Sequence, residues 1–102
     1  MNRGDIFDAD LPIGRHPVVV LTRDTTIPVL TNVTVATVTS RVRGFVAEVS
    51  VGPDEGFGHD CVVNCHDLST IPKRMLHHQR GRLGPASMRQ LDDALRIALG
   101  LD

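Results

Sequence analysis

The densest signal in this chain is a set of short runs rich in valine and threonine: HPVVVLT, TNVTVATVT, FVAEVSV and CVVNC. β-Branched side chains are stiff at χ1 and pack well on a pleated surface, so such runs bounded by glycine and proline read as strands. Val18, Val19, Val20 and Leu21 are consecutive, which predicts a strand, His16–Arg23, buried on both faces. Further strands are predicted at Gly4–Leu11, Thr31–Ser40, Phe45–Val51 and Cys61–Cys65, with an edge strand in HHQRGRL. In Phe45–Val51, Phe45, Ala47, Val49 and Val51 share one face. LPIGRH and RVRG read as turns, DTTIPVL and GPDEGFGHD as loops, and IPKRML as one helical turn. The end of the chain differs in kind. Pro85 suits the first turn of a helix, Met88, Leu91, Leu95 and Ala98 recur with a helical period, and Gly100 supplies the stop. The expected fold is mainly β with one C-terminal helix, a small antiparallel β-barrel.

Length and charge narrow the function. The 102 residues suit one domain, 1–102, with a single modest core. With 41% apolar and 23% charged residues, the composition is that of an ordinary globular chain. No apolar run approaches the roughly 20 residues of a membrane span. MNRGDIFDAD lacks the pattern of a signal peptide, and two cysteines make no disulfide scaffold, so a cytoplasmic protein is expected. A net charge of −1 argues against a basic coat for duplex DNA. Ten of the eleven basic residues are nonetheless arginine, the side chain that grips phosphate bidentately, although a GC-rich genome also favours arginine. Three phenylalanines with no Trp or Tyr disfavour an aromatic platform for RNA bases.

Three clusters could carry chemistry. His59, Cys61, Cys65 and His66 are zinc-type residues, but Val62, Val63 and Asn64 between the cysteines read as a strand interior. On a strand, cysteines four apart sit about 13 Å from one another, too far for one tetrahedral ion. No metal site is expected there, and Cys61 reads as a small buried hydrophobe. In TVTSRVRG, Thr39 and Ser40 end a strand and Arg41 and Arg43 follow in the turn. Hydroxyls beside guanidiniums can hold a phosphodiester, while β-branched packing and solvated arginines explain the same residues more blandly. In GRHP, Arg15 and His16 precede a strand, and histidine can pass a proton near neutrality, though a surface histidine there is unremarkable by itself. His77 and His78 read as edge-strand residues, and Asp5, Asp8 and Asp10 as a solvated strand face.

Taken in order, RGDIFDADL, HPVVVLTRD, LTNVTVATVTSRVRGFVAEVSV, DCVVNCHDLSTIPKRML and RGRLGPASMRQLDDALRIALGL resemble the MazF/PemK family of bacterial toxins from Arg3 to Leu101. The resemblance implies an SH3-like barrel that forms a homodimer and cuts single-stranded RNA without a metal or other cofactor. It also implies a cognate antitoxin whose tail covers the RNA groove. The family's catalytic Arg before the proline of strand two falls on His16, with Arg15 one residue earlier, and its strand-ending Thr falls on Thr39. The turn Leu11–Arg15 is shorter than in many relatives, and His66-Asp67 replaces an acidic residue and Gln. The expected catalytic residues are therefore His16, Thr39 and Arg15, with Ser40, Arg41 and Arg43 binding RNA. Two alternatives keep the barrel: a CcdB-like toxin that binds DNA gyrase, and a non-catalytic interaction module.

Overall fold

In a computed structural model, which describes residues 1–101, the chain forms one six-stranded antiparallel sheet and one helix. The strands are β1 (Asp5–Leu11), β2 (Gly14–Val20), β3 (Asn32–Thr39), β4 (Glu48–Val51), β5 (Cys61–Pro72) and β6 (Leu76–Arg82). They lie in the order β4-β5-β3-β2-β1-β6. The helix α1 (Pro85–Leu99) follows, and Gly100 ends it in the left-handed conformation, φ 68°. This is the expected small β architecture, a curled half-barrel whose edge strands β4 and β6 are not hydrogen-bonded to one another.

Glycines bring those two edges together. A Cβ on Gly56, just after the 3-10 turn Pro53–Glu55 that follows β4, would lie 2.3 Å from the carbonyl oxygen of Arg80 in β6. A Cβ on Gly81 would lie 2.5 Å from the carbonyl oxygen of Glu55. Backbone therefore meets backbone at this seam, and only residues without side chains fit on both sides.

The sheet is buried on both faces, as the Val18–Val20 run predicts. The larger core gathers Ile6, Val19, Val38, Val63 and Cys65 against Leu91 and Ala94 of α1. A second core on the other face joins Ala9, Val18, Val20, Val35 and Ile71 to Ile27 of the 3-10 turn Ile27–Val29. Two small cores thus replace the single one expected. An ion pair of 2.7 Å from Arg3 to Asp92 ties the N-terminus to α1.

Four local expectations change. Strand two begins at Gly14 and ends at Val20, so Arg15 lies within it and not in a turn. The fourth strand starts at Glu48, because the Glu48 carboxylate accepts backbone N–H bonds from Arg43, Gly44 and Phe45 and folds that stretch into a loop. Ala47, Val49 and Val51 are buried while Phe45 is half exposed. The CVVNC strand runs on to Pro72, through an irregularity where neighbouring Ala36 and Thr37 pair with Leu68 and Asn64. Asp5 is out of phase with Asp8 and Asp10 and is buried, its carboxylate accepting the Asn2 N–H at 2.8 Å.

Candidate active site

The site lies where β2 and β3 part. Their ladder runs from Val20–Val35 to Val18–Thr37 and stops there. Two steps further in that register, His16 and Thr39 face each other across the unpaired end. Pro17 biases His16 to extended backbone, and His16 pairs with Ala9 of β1, so its position is fixed from two sides. Alternation puts His16, Thr37 and Thr39 on one face of the sheet.

A cleft of about 160 Å³ opens on that face, lined by His16, Thr37, Thr39, Arg41, Arg43 and Asp67 together with Ile13 and Asn64. Thr37 is buried. The Thr39 hydroxyl oxygen accepts the backbone N–H of Arg41 at 3.1 Å, an interaction that turns the chain and leaves the hydroxyl hydrogen free to donate. Arg43 is set by its own backbone contact to Glu48. Asp67 enters through the β5 irregularity: three residues, Cys65 to Asp67, stand between the partners of Ala36 and Thr37. Such bulges re-aim side chains. Asn64 holds the bulge by accepting the His66 N–H on its side-chain oxygen at 3.0 Å.

The structure thus brings His16, Thr39, Arg41 and Arg43 together. Ser40 lies on the other side of the gap, in a neighbouring cleft of about 220 Å³ with Phe57, His59 and Arg80. Arg15 lines neither of these clefts: it alternates away from His16, and its Nε lies 3.1 Å from Asp10. His77 joins the same carboxylate at 2.6 Å, and these two partners, His77 first, hold the Asp10 carboxyl below its ordinary range. The Asp10 carboxylate is therefore ionised at neutral pH and loses its charge only as pH falls through its lowered value. Thr37 and Asn64 escaped the sequence reading, which gave Asp67 no role. Thr37 is hidden among strand threonines, and only the β5 irregularity takes Asp67 to the cleft.

The Cys-His cluster is dispersed. Cys61 and Cys65 are both buried in the larger core, whereas His66 is exposed, in an edge-on contact with Phe45 at 6.1 Å between ring centroids. Among the described residues, no group of three or more His, Cys, Asp or Glu side chains is placed to hold a metal ion. Burial pushes the Cys65 thiol up to about 11. At about pH 8, where an ordinary thiol is partly ionised, Cys65 should therefore resist iodoacetamide in the native protein and react once guanidinium unfolds it. Intact-mass measurement reads this directly, and rapid native alkylation of Cys65 would contradict its packing.

A curled half-barrel with a cationic, hydroxyl-lined cleft at the parting of two strands is the build of a toxin of type II toxin–antitoxin systems. Residues 2–99 match the family model described as PemK-like, MazF-like toxin of type II toxin-antitoxin system. The chain belongs to this MazF/PemK family. It is 42% identical over 87 residues to Endoribonuclease MazF3 of Mycobacterium tuberculosis, covering 85% of this chain and 84% of the relative. Among solved structures, Mycobacterium tuberculosis toxin MazF-mt6 superposes with a TM-score of 0.92 at 40% identity, covering 96% of this chain and 98% of that one. A mycobacterial endoribonuclease in complex with its cognate antitoxin gives a TM-score of 0.91 at 26% identity, over 100% of this chain and 97% of that one.

Proposed function

We propose that this toxin is an endoribonuclease that cuts single-stranded RNA at the His16–Thr39 gap without a metal ion. The observation that carries the reading is the convergence of an imidazole, a hydroxyl donor and two guanidiniums in one cleft. Relatives 34–42% identical over most of the chain are named endoribonuclease or probable endoribonuclease, which favours this reading over gyrase binding or a non-catalytic module.

The reaction is a transphosphorylation. The RNA 2′-oxygen attacks its own 3′-phosphorus, a P–O2′ bond forms, and the P–O5′ bond breaks. The products are a 2′,3′-cyclic phosphate and a 5′-hydroxyl. One proton must leave the 2′-hydroxyl, one must reach the departing O5′, and the charged phosphoryl oxygens must be stabilised. Protonated His16 serves as the acid or as the phosphate clamp. Thr39 donates its free hydroxyl hydrogen to a phosphoryl oxygen. Arg41 and Arg43 hold backbone phosphates, which arginine does bidentately. Asp67, the one carboxylate lining this cleft among the described residues, is the group suited to accept the 2′-proton. Ser40 extends the RNA track outside the cleft.

One toxin domain occupies residues 1–102 and works in the cytoplasm as a homodimer. A net charge of −1 attracts RNA weakly, and a second copy doubles the arginines along the track. The antitoxin competes for the same groove. Labelled RNA incubated with the purified protein in EDTA tests the reading. Cleavage to cyclic-phosphate and 5′-hydroxyl ends is expected, and a 2′-deoxy substitution at the cut nucleotide should abolish it. Intact RNA under these conditions, with cleavage restored by a divalent ion, refutes the mechanism.

A further inference from the structure

We infer that the second cleft, on the Arg80 side of the gap, is a nucleobase subsite that takes the base of a nucleotide flanking the scissile phosphate, stacked on the Arg80 guanidinium. The inference rests on the endoribonuclease reading of the gap and adds a specificity-determining residue to it.

Geometry comes first. His16 and Thr39 line both clefts, so they form the wall between them, and a phosphate held there has a cavity on either side. A phosphodiester carries one nucleoside on each of its bridging oxygens. With β2 and β3 unpaired from one another beyond Val18–Thr37, the two flanking nucleotides have opposite ways to go. The first cleft is polar and holds the arginines that suit phosphate. The second, of about 220 Å³, is the roomier of the two.

Arg80 is built as a flat surface. Its guanidinium carbon lies 5.0 Å from the centroid of the Phe57 ring, and its Nη1 lies 3.3 Å from an Asp8 carboxylate oxygen. Phe57 is buried and supports one face, Asp8 holds the edge, and the side chain keeps about a third of its surface exposed, 33%. Pairing with Asp8 offsets the charge, which weakens Arg80 as a phosphate anchor and leaves its plane available. Bases stack on guanidinium planes as they do on aromatic rings. A chain poor in aromatic residues can therefore still hold a base. Ser40 and His59 border the cleft with a hydroxyl and an imidazole, which can hydrogen-bond a base edge. The glycine seam fixes the chain next to Phe57, at Gly56, and next to Arg80, at Gly81, so the platform is set by the fold.

The test begins with the wild-type protein and an RNA carrying its mapped cleavage sequence, with single abasic sites placed at each position in turn. An abasic site at one nucleotide flanking the cut should raise KM about tenfold, in the range of one lost base stack. Arg80→Lys keeps the charge beside Asp8 but removes the plane. It should raise KM for intact RNA by a similar factor and make the enzyme indifferent to that abasic site. An Arg80→Lys enzyme that retains the wild-type abasic profile overturns the subsite, and its Arg80 is then at most a phosphate contact. An abasic scan of the wild type with no sensitive flanking position overturns it without any variant. A wild-type protein that cuts no RNA is a different failure, that of the endoribonuclease reading itself.

Discussion

His16→Ala is expected to lower the rate of RNA cleavage by about 10²–10⁴-fold, the range for removal of a positioned proton donor. The residue is held by β1 pairing on one side and by Pro17 in its own chain, and it meets Thr39 across the open end of the β2–β3 ladder. Both roles open to it, acid and cationic clamp, require the protonated ring. Activity should therefore decline as pH rises and the imidazolium form is lost. His16→Arg supplies a cation that stays charged as pH rises. It should keep substantial activity as a phosphate clamp and flatten the pH profile. Arg15→Ala is expected to be much milder, since Arg15 faces Asp10 on the opposite side of the sheet. The reverse ranking, a dead Arg15→Ala beside a normal His16→Ala, would show that the catalytic cation is Arg15 and that the register argument fails.

That ranking depends on the one feature a linear reading handles least well, which is phase. The Val18–Val20 run was legible as a doubly buried strand because no polar residue interrupts it. Its start was not, since Gly14, Arg15 and His16 resemble a turn until pairing with Leu11, Asp10 and Ala9 makes them strand. The helix was legible for the opposite reason: its period, its proline and its final glycine all agree. The long β5 was hidden because HDLST is polar and the irregularity at Cys65–Asp67 breaks the alternation that would mark a strand. The same break takes Asp67 into the cleft, so the fold error and the missed site residue have one cause. Phe45 misled in a similar way. Its apolar side chain extends the alternation of β4, but the Glu48 carboxylate captures the N–H groups that strand pairing would need.

Gly56→Ala is expected to be the most destabilising small substitution in the chain, because two independent penalties coincide there. Its φ is 94°, a conformation in which a Cβ costs about 1–2 kcal/mol. The new Cβ would also sit 2.3 Å from the Arg80 carbonyl oxygen, a backbone atom that no rotamer change can move. Overpacking of that kind adds typically about 1–3 kcal/mol. A total of about 2–5 kcal/mol follows if the two add, and each kcal/mol lowers Tm by about 4–8 °C in a domain of this size. Gly81→Ala meets the Glu55 carbonyl oxygen across the same seam, with no positive φ, and should cost less. Gly58→Ala, two residues away with open space around its Cβ, is the control and should leave Tm nearly unchanged. The difference between Gly56 and Gly81 separates backbone strain from collision. Because the seam joins the two edges of the half-barrel and fixes the chain beside Phe57 and Arg80, relaxing it should also loosen the second cleft. At a temperature where Gly81→Ala remains folded, the variant should therefore bind RNA more weakly than wild type. Calorimetry that finds Gly56→Ala as stable as Gly58→Ala would mean that the two edges of the sheet do not meet through these glycines.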